Sequence, residues 1–226
     1  LNYKWINEEI LTYSKKLGDH SFSALAGFVA SRYVGESANS SIRGFSDNKI
    51  HSMNAGTVLN KPSEDYGAST NASVLARVTY DYQNKYLATV NFRADGSSKF
   101  GVNNRWGYFP SFSLGWRLTG EEFMKPLDWL SDLKLRVGWG QVGNDQVGYY
   151  SSYGIYGIGA NYNMDGVILP GYYQSQIGND KLRWERTTQT NVGLDFSFLN
   201  GRITLTADAY YKKTTDLLLM VKLPQT

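Results

Sequence analysis

The sequence predicts an all-β fold, the wall of an antiparallel transmembrane β-barrel. Three observations predict it. About eight long segments between Asn7 and Leu219 alternate apolar and polar residues. Their connections alternate between a tight turn or short link and a longer loop. One segment carries Trp106 and Trp116 on the same face. At roughly 3.3 Å per residue and a tilt of about 40°, that pair spans about 25 Å in height, the spacing of two aromatic girdles. The segments run about 10–14 residues, whereas strands of soluble proteins average about 5–6.

The elements follow in order. Residues 7–17 form the first segment, and Leu17-Gly18-Asp19-His20 turns the chain. Residues 21–33 place Phe22, Ala24, Ala26, Phe28 and Ala30 on one face; Leu25 and Val29 break the polar parity of the other. A Ser-, Asn- and Gly-rich stretch over 35–70 reads as a long loop. Residues 73–82 set Val74, Ala76, Val78 and Tyr80 against Arg77, Thr79 and Asp81. After the turn Gln83-Asn84-Lys85, residues 86–95 set Tyr86, Ala88, Val90 and Phe92 against Thr89, Asn91, Arg93 and Asp95. A loop over 96–104 leads to the segment 105–118, where Pro110 calls for a bulge or local irregularity. Thr119 and Glu122 have the spacing of a capping box, which predicts a short helix over 121–130. Residues 132–142 set Leu133, Leu135, Val137 and Trp139 against Lys134, Arg136, Gly138 and Gly140. The longest loop covers 143–183. Residues 185–198, an Asn-Gly turn at 199–201 and residues 203–211 form the last hairpin. No linker divides the chain, so residues 1–226 read as part of one barrel domain.

Composition agrees with this reading and excludes others. The 226 residues carry a net charge of +3, 15 % aromatic side chains and no cysteine. Mean hydropathy is −0.40. No apolar run reaches the roughly 18–20 residues of a membrane helix, so any crossing uses strands, half of whose side chains line a wet lumen. Without cysteine there are no disulfides, thiolate catalysis or thiolate-bound metal. Lys and Arg are scattered rather than clustered, against nucleic-acid binding.

No motif carries catalysis, and the chain is not expected to be an enzyme or to hold a cofactor or metal. Gly138-Trp139-Gly140-Gln141-Val142-Gly143 fits G-x-G-x-x-G, but no helical period follows it. Glu8 and Glu9 point to opposite faces of a strand and cannot share a substrate. His20 falls in a turn and His51 in a loop. Arg77, Arg93, Asp195 and Asp208 take the polar parity and are expected to face the lumen; Trp106 and Trp116 are expected in the membrane girdles. Tyr149, Tyr150, Tyr153, Tyr156, Tyr162, Tyr172 and Tyr173 crowd one loop, either packing on each other or contacting a ligand or lid.

Four stretches in order carry a family resemblance. They are Asn91-Phe92-Arg93-Ala94-Asp95-Gly96-Ser97-Ser98-Lys99-Phe100-Gly101, then Asn104-Arg105-Trp106-Gly107-Tyr108-Phe109-Pro110-Ser111. Leu133-Lys134-Leu135-Arg136 runs on to Gly140-Gln141-Val142-Gly143-Asn144. Leu182-Arg183-Trp184-Glu185-Arg186-Thr187-Thr188-Gln189 continues to Tyr210-Tyr211-Lys212-Lys213-Thr214-Thr215-Asp216-Leu217-Leu218. Together these stretches resemble the SusC/RagA family of TonB-dependent outer-membrane transporters of Bacteroidetes-type Gram-negative bacteria, and the resemblance also accounts for Pro110. It implies a barrel of about 22 strands with a plug, of which this chain would be about eight strands without the plug or a TonB box. The signature residues read as structural. The implied partners are a SusD-like surface lipoprotein, the TonB complex acting through the absent plug, an oligosaccharide or peptide substrate and outer-membrane lipid. Short turns would face the periplasm, and the loops 35–70, 96–104 and 143–183 the outside. The chain reads as an internal-to-late slice, since it shows no signal peptide and stops at Leu223-Pro224-Gln225-Thr226 without a terminal aromatic strand. Two rival readings stand beside it: a self-contained eight-stranded outer-membrane barrel acting as an adhesin or structural protein, and a soluble carbohydrate-binding β-sandwich.

Overall fold

A computed structural model describes residues 1–50, 52–127 and 129–221. Eight strands form one antiparallel sheet: β1 (Asn2–Leu17), β2 (His20–Asn39), β3 (Ser63–Tyr82), β4 (Tyr86–Ser97), β5 (Trp106–Arg117), β6 (Leu130–Asn144), β7 (Glu185–Phe198) and β8 (Ile203–Thr215). Their order in the sheet is their order in the chain, a pure up-and-down meander. Among the described residues, β1 and β8 are the two edges and do not pair with each other. A closed eight-stranded barrel needs that pairing, and a sandwich needs a second large sheet; the remaining sheets are three two-stranded ribbons.

Register explains why the alternation matters. Across the sheet, Ala24 pairs with Val78, Val78 with Val90, Val90 with Phe112 and Phe112 with Trp139. One face is therefore apolar from strand to strand, and a one-residue slip would break it. Side chains on this face are exposed: Val90 is 57 % and Leu114 53 % accessible. The opposite face carries Thr79, Thr89, Ser113 and Gly138 in the same rows. The only buried hydrophobic residues among those described are Ala94, Phe100 and Phe109. An exposed apolar face that extends over neighbouring strands marks a surface that meets lipid or another protein surface.

The structure moves several boundaries. β1 begins at Asn2, five residues before the predicted start. The β2–β3 hairpin pairs without interruption from His20↔Tyr82 to Asn39↔Ser63, so the stretch predicted as loop over 35–70 contributes strand at both ends. β3 pairs with β4 only from Asn71 onward. Its first eight residues, Ser63–Thr70, thus stand about 26 Å beyond the neighbouring strand. The loop expected over 96–104 starts after Ser97 and contains a 3-10 turn at Val102–Asn104. The loop expected over 143–183 lies between Asn144 and Glu185 and holds two ribbons, Ile155–Ile158 with Tyr172–Gln176 and Tyr162–Met164 with Val167–Leu169.

The short connections are built from left-handed residues. Gly18 has φ +58° between the paired Leu17 and His20. Gln83 and Asn84 both have φ near +54°, and the Lys85 amide donates to the Tyr82 carbonyl at 2.9 Å. In the last hairpin Leu199 and Asn200 take the central positions, ahead of Gly201, and the Gly201 amide donates to the Phe198 carbonyl. The expected Asn-Gly pair is therefore shifted by one residue.

The predicted helix over 121–130 is absent among the described residues. The link holds two three-residue 3-10 turns, Leu118–Gly120 and Glu122–Met124, without side-chain caps. Thr119 instead donates to Asp132 Oδ1 at 2.9 Å. Pro110 needs no bulge. It stays in register with Phe92, and the β5–β6 pairing ends at Ser111↔Gly140, where a missing N–H costs no ladder bond.

Candidate functional site

The site lies on the polar face, towards the end with the long connections. Successive strands bring Arg77, Asn91 and Ser111 into one row, because each stands opposite the next in the ladder. Arg77 Nε donates to Asn91 Oδ1 at 2.6 Å, and Asn91 donates on to Ser111 at 3.1 Å. Arg93 donates from Nε to both oxygens of Asp95, at 2.7 and 2.8 Å. Together with Ile10, Leu25, Leu75 and Trp184 these residues line a depression of about 600 Å³.

A second group lies on the same face nearer the short connections. Arg136 Nε reaches Asp195 Oδ2 at 2.7 Å, and its Nη2 reaches Asp195 Oδ1 at 2.9 Å and Asp208 Oδ1 at 3.0 Å. Asp195 also accepts from Thr206. One guanidinium thus ties β6, β7 and β8. Asp195 and Asp208 meet at this guanidinium, while Arg77 and Arg93 sit in the other group. Arg136 was not singled out in the sequence; its polar parity opposite two acidic residues was the available signal.

An aromatic cluster closes the site's rim. Phe100 is 1 % exposed, and its ring centre lies 5.3 Å from that of Trp184. Phe109 meets Trp184 edge-on at 5.5 Å. Trp184 Nε1 donates to the Arg105 carbonyl at 2.9 Å. A Cβ on Gly143 would sit 2.0 Å from the Phe109 ring and one on Gly107 2.5 Å from it, so both glycines make room for that ring. Asp145 accepts from Ser97 Oγ at 2.9 Å and lies 3.9 Å from Lys99 Nζ. All of these residues except Asp145 come from the four sequence stretches noted above, which gives those stretches a structural purpose: they lock the long loop to β4 and β5.

The loop tyrosines divide. Tyr149 stacks on Tyr33 at 6.0 Å and lies against Gly67, where a Cβ would be 2.4 Å from its ring. Lys99 Nζ lies 5.9 Å from its centre. Burial, helped by Tyr33, pushes the Tyr149 phenol above its ordinary pKa. Tyr150 and Tyr153 meet edge-on at 6.4 Å. Tyr156, Tyr162, Tyr172 and Tyr173 are on the ribbons, between 51 % and 73 % exposed. The first three make ring contacts, although Tyr153, at 53 %, is as exposed as the ribbon tyrosines, and Tyr173 lies against Gly157.

On the apolar face Trp116 belongs to an aromatic row at the short-connection end. Ring centres lie 4.7 Å apart for His20–Tyr82, 6.2 Å for Tyr82–Tyr86 and 6.5 Å for Tyr86–Trp116. Glu121 accepts from Tyr86 at 2.5 Å and from Trp116 Nε1 at 3.2 Å, and pairs with Lys85 at 3.2 Å. The Tyr86 and then the Trp116 hydrogen bonds hold the Glu121 carboxyl below the usual range. Trp106 lies at the far end of β5, over Gly96, whose added Cβ would be 3.2 Å from its ring. His20 is bonded to Tyr80 at 2.8 Å, and His51 lies outside the described residues. Among the described residues no group of three or more His, Asp or Glu side chains could hold a metal.

Comparison with known proteins places this architecture. The family model described as "TonB dependent receptor-like, beta-barrel" matches residues 4–226. TonB-dependent receptor P39 of Formosa agariphila is 38 % identical over 226 residues, covering 99 % of this chain and 21 % of that protein. TonB-dependent receptor SusC of Bacteroides thetaiotaomicron is 45 % identical over 163 residues, covering 69 % of this chain and 16 % of SusC. A solved structure of the RagAB peptide transporter superposes with a TM-score of 0.87 at 28 % identity, over 99 % of this chain and 25 % of that one. The chain thus spans about a fifth of the length of these curated relatives. The chain belongs to the TonB-dependent receptor family, as part of a SusC/RagA-type β-barrel.

Proposed function

We propose that residues 1–226 are part of the barrel domain of an outer-membrane nutrient importer in a Bacteroidetes-type bacterium. The observation that carries this is the separation of two chemistries, held in register over eight strands: an exposed apolar face and a polar face with ionic groups. The apolar face meets lipid, with Trp116 and Trp106 in the two interfacial girdles. The polar face, with Arg77, Arg93, Asp195 and Asp208, lines the lumen. The open edges of β1 and β8 pair with further strands of the whole barrel. The short connections lie in the periplasm and the long ones outside.

On this reading the exposed loop tyrosines meet a SusD-like lipoprotein or the incoming oligosaccharide or peptide. Import is driven by TonB acting on a plug within the barrel. This part of the wall shapes the passage and carries no catalytic step. The test is uptake of fluorescent oligosaccharides and peptides by cells with and without the full receptor, and after loss of TonB. Uptake that needs both supports the proposal. Uptake that persists without TonB, or without the receptor, contradicts it.

A further inference from the structure

The apolar face is not smooth near the short connections. Tyr80, Ala88, Leu114 and Val137 form one row across β3, β4, β5 and β6. Ala88 is the small member of that row, and these residues line a groove of about 490 Å³. Tyr86 and Trp116, paired in the next row, close it on the side of the short connections. The walls are held from outside. Tyr80 Oη and His20 Nδ1 lie 2.8 Å apart, and the Phe22 ring packs on that of Tyr80 at 4.8 Å. Tyr86 and Trp116 both donate to Glu121 Oε1, at 2.5 and 3.2 Å. Neither His20 nor Glu121 lines the groove, so the polar tips of these rings find their partners beyond it. Lys85 and Lys125, at the same end, are already paired, with Glu121 at 3.2 Å and Glu122 at 2.7 Å.

From this arrangement we infer that the groove seats one acyl chain of a phospholipid from the periplasmic leaflet. The inference rests on the reading above that the apolar face meets lipid with its short connections in the periplasm. An apolar cleft of this size takes an apolar ligand, and its aromatic rim stands where ring bodies face hydrocarbon and ring tips face water. Walls already fixed by hydrogen bonds lose little freedom when a chain settles between them. The chain in the groove therefore leaves more slowly than the lipids around it. Because Lys85 and Lys125 have carboxylate partners, the hydrocarbon and not the headgroup is what the site recognises.

The experiment uses the full receptor in vesicles of phosphatidylethanolamine and phosphatidylglycerol with the same acyl chains. The receptor is released in mild detergent, and the phospholipids it keeps are counted by native mass spectrometry. Ala88→Phe fills the groove and Ala88→Leu fills part of it; Val74→Phe enlarges a residue of the same face far along β3. All three stay apolar, and folded receptor is recognised by its heat-modifiable mobility in gels. The expected result is that wild type and Val74→Phe keep one more phospholipid than Ala88→Phe, of either headgroup, and that Ala88→Leu lies between. A wild-type receptor that keeps no lipid, or as many as the Ala88 variants, would overturn the inference. Retention of one headgroup only would overturn the assignment to the chain, and a second protein displaced by Ala88→Phe would assign the groove to that protein instead. A bimane on Val74→Cys that brominated lipid fails to quench would count against the lipid-facing reading itself.

Discussion

Val90 sits on the apolar face of β4, 57 % exposed, between Val78 and Phe112 on the neighbouring strands. Thr89 is the next residue on the opposite face, between Thr79 and Ser113. Replacing each by arginine tests the facing assignment within one step of the chain. If the apolar face meets lipid, Val90→Arg costs roughly 2–4 kcal/mol near the midplane. That lowers the folded-to-unfolded ratio by about 30- to 700-fold. Thr89→Arg enters a wet space, where Lys134 and Arg136 line the same depression; repulsion there costs at most about 1 kcal/mol. The assay is urea unfolding of the full receptor in lipid vesicles, followed by tryptophan fluorescence. Equal costs at the two sites, or a larger cost at Thr89, would refute the reasoning.

Further consequences follow from the packing and from the rim. Phe109→Ala removes the ring that joins Trp184 to β5 and should cost about 3–5 kcal/mol, read by the same unfolding assay; a cost under about 1 kcal/mol would mean the loop is held elsewhere. Because hydrogen bonds from Tyr86 and Trp116 depress Glu121, its contribution is present above the ordinary carboxylate pKa and is lost as pH falls through the lowered folded value. The tryptophan emission of the short-connection rim should therefore stay constant from neutral pH into the ordinary carboxylate range and change only below it. Glu121→Gln should abolish that acid step, and an unchanged acid step would remove Glu121 as its source. Tyr149→Ala should expose the loop to proteolysis after Asn144, whereas Tyr172→Ala should leave proteolysis unchanged and weaken capture of lipoprotein or substrate.

Much of this fold was legible because a membrane strand repeats one simple rule. Alternation at Tyr86, Ala88, Val90 and Phe92 fixed the face of every residue in β4, and the neighbouring strands repeat it in register. Chain ends of strands were less legible. Gly35–Asn39 and Ser63–Gly67 have loop composition, yet the hairpin pairing that begins at His20↔Tyr82 simply continues through them. Local helix signals misled at Thr119–Glu122, because Glu121 is drawn to Tyr86 and Trp116 and Thr119 to Asp132, partners that periodicity does not reveal. The same limit hid the Phe100–Phe109–Trp184 cluster and the role of Arg136. Each joins residues far apart in the chain, and spacing along one strand carries no record of them.

The central claim is that one face of this sheet meets lipid and the other does not. The chain has no cysteine, so single cysteines can be placed at each position from Tyr86 to Asp95 and spin-labelled in the full receptor in bilayers, after any cysteine elsewhere in it is replaced. Oxygen concentrates in lipid, and a nickel chelate stays in water. The account predicts oxygen accessibility that alternates with a period of two, with maxima at Ala88, Val90 and Phe92. A profile without alternation, or with maxima at Thr89, Asn91 and Arg93, would contradict it.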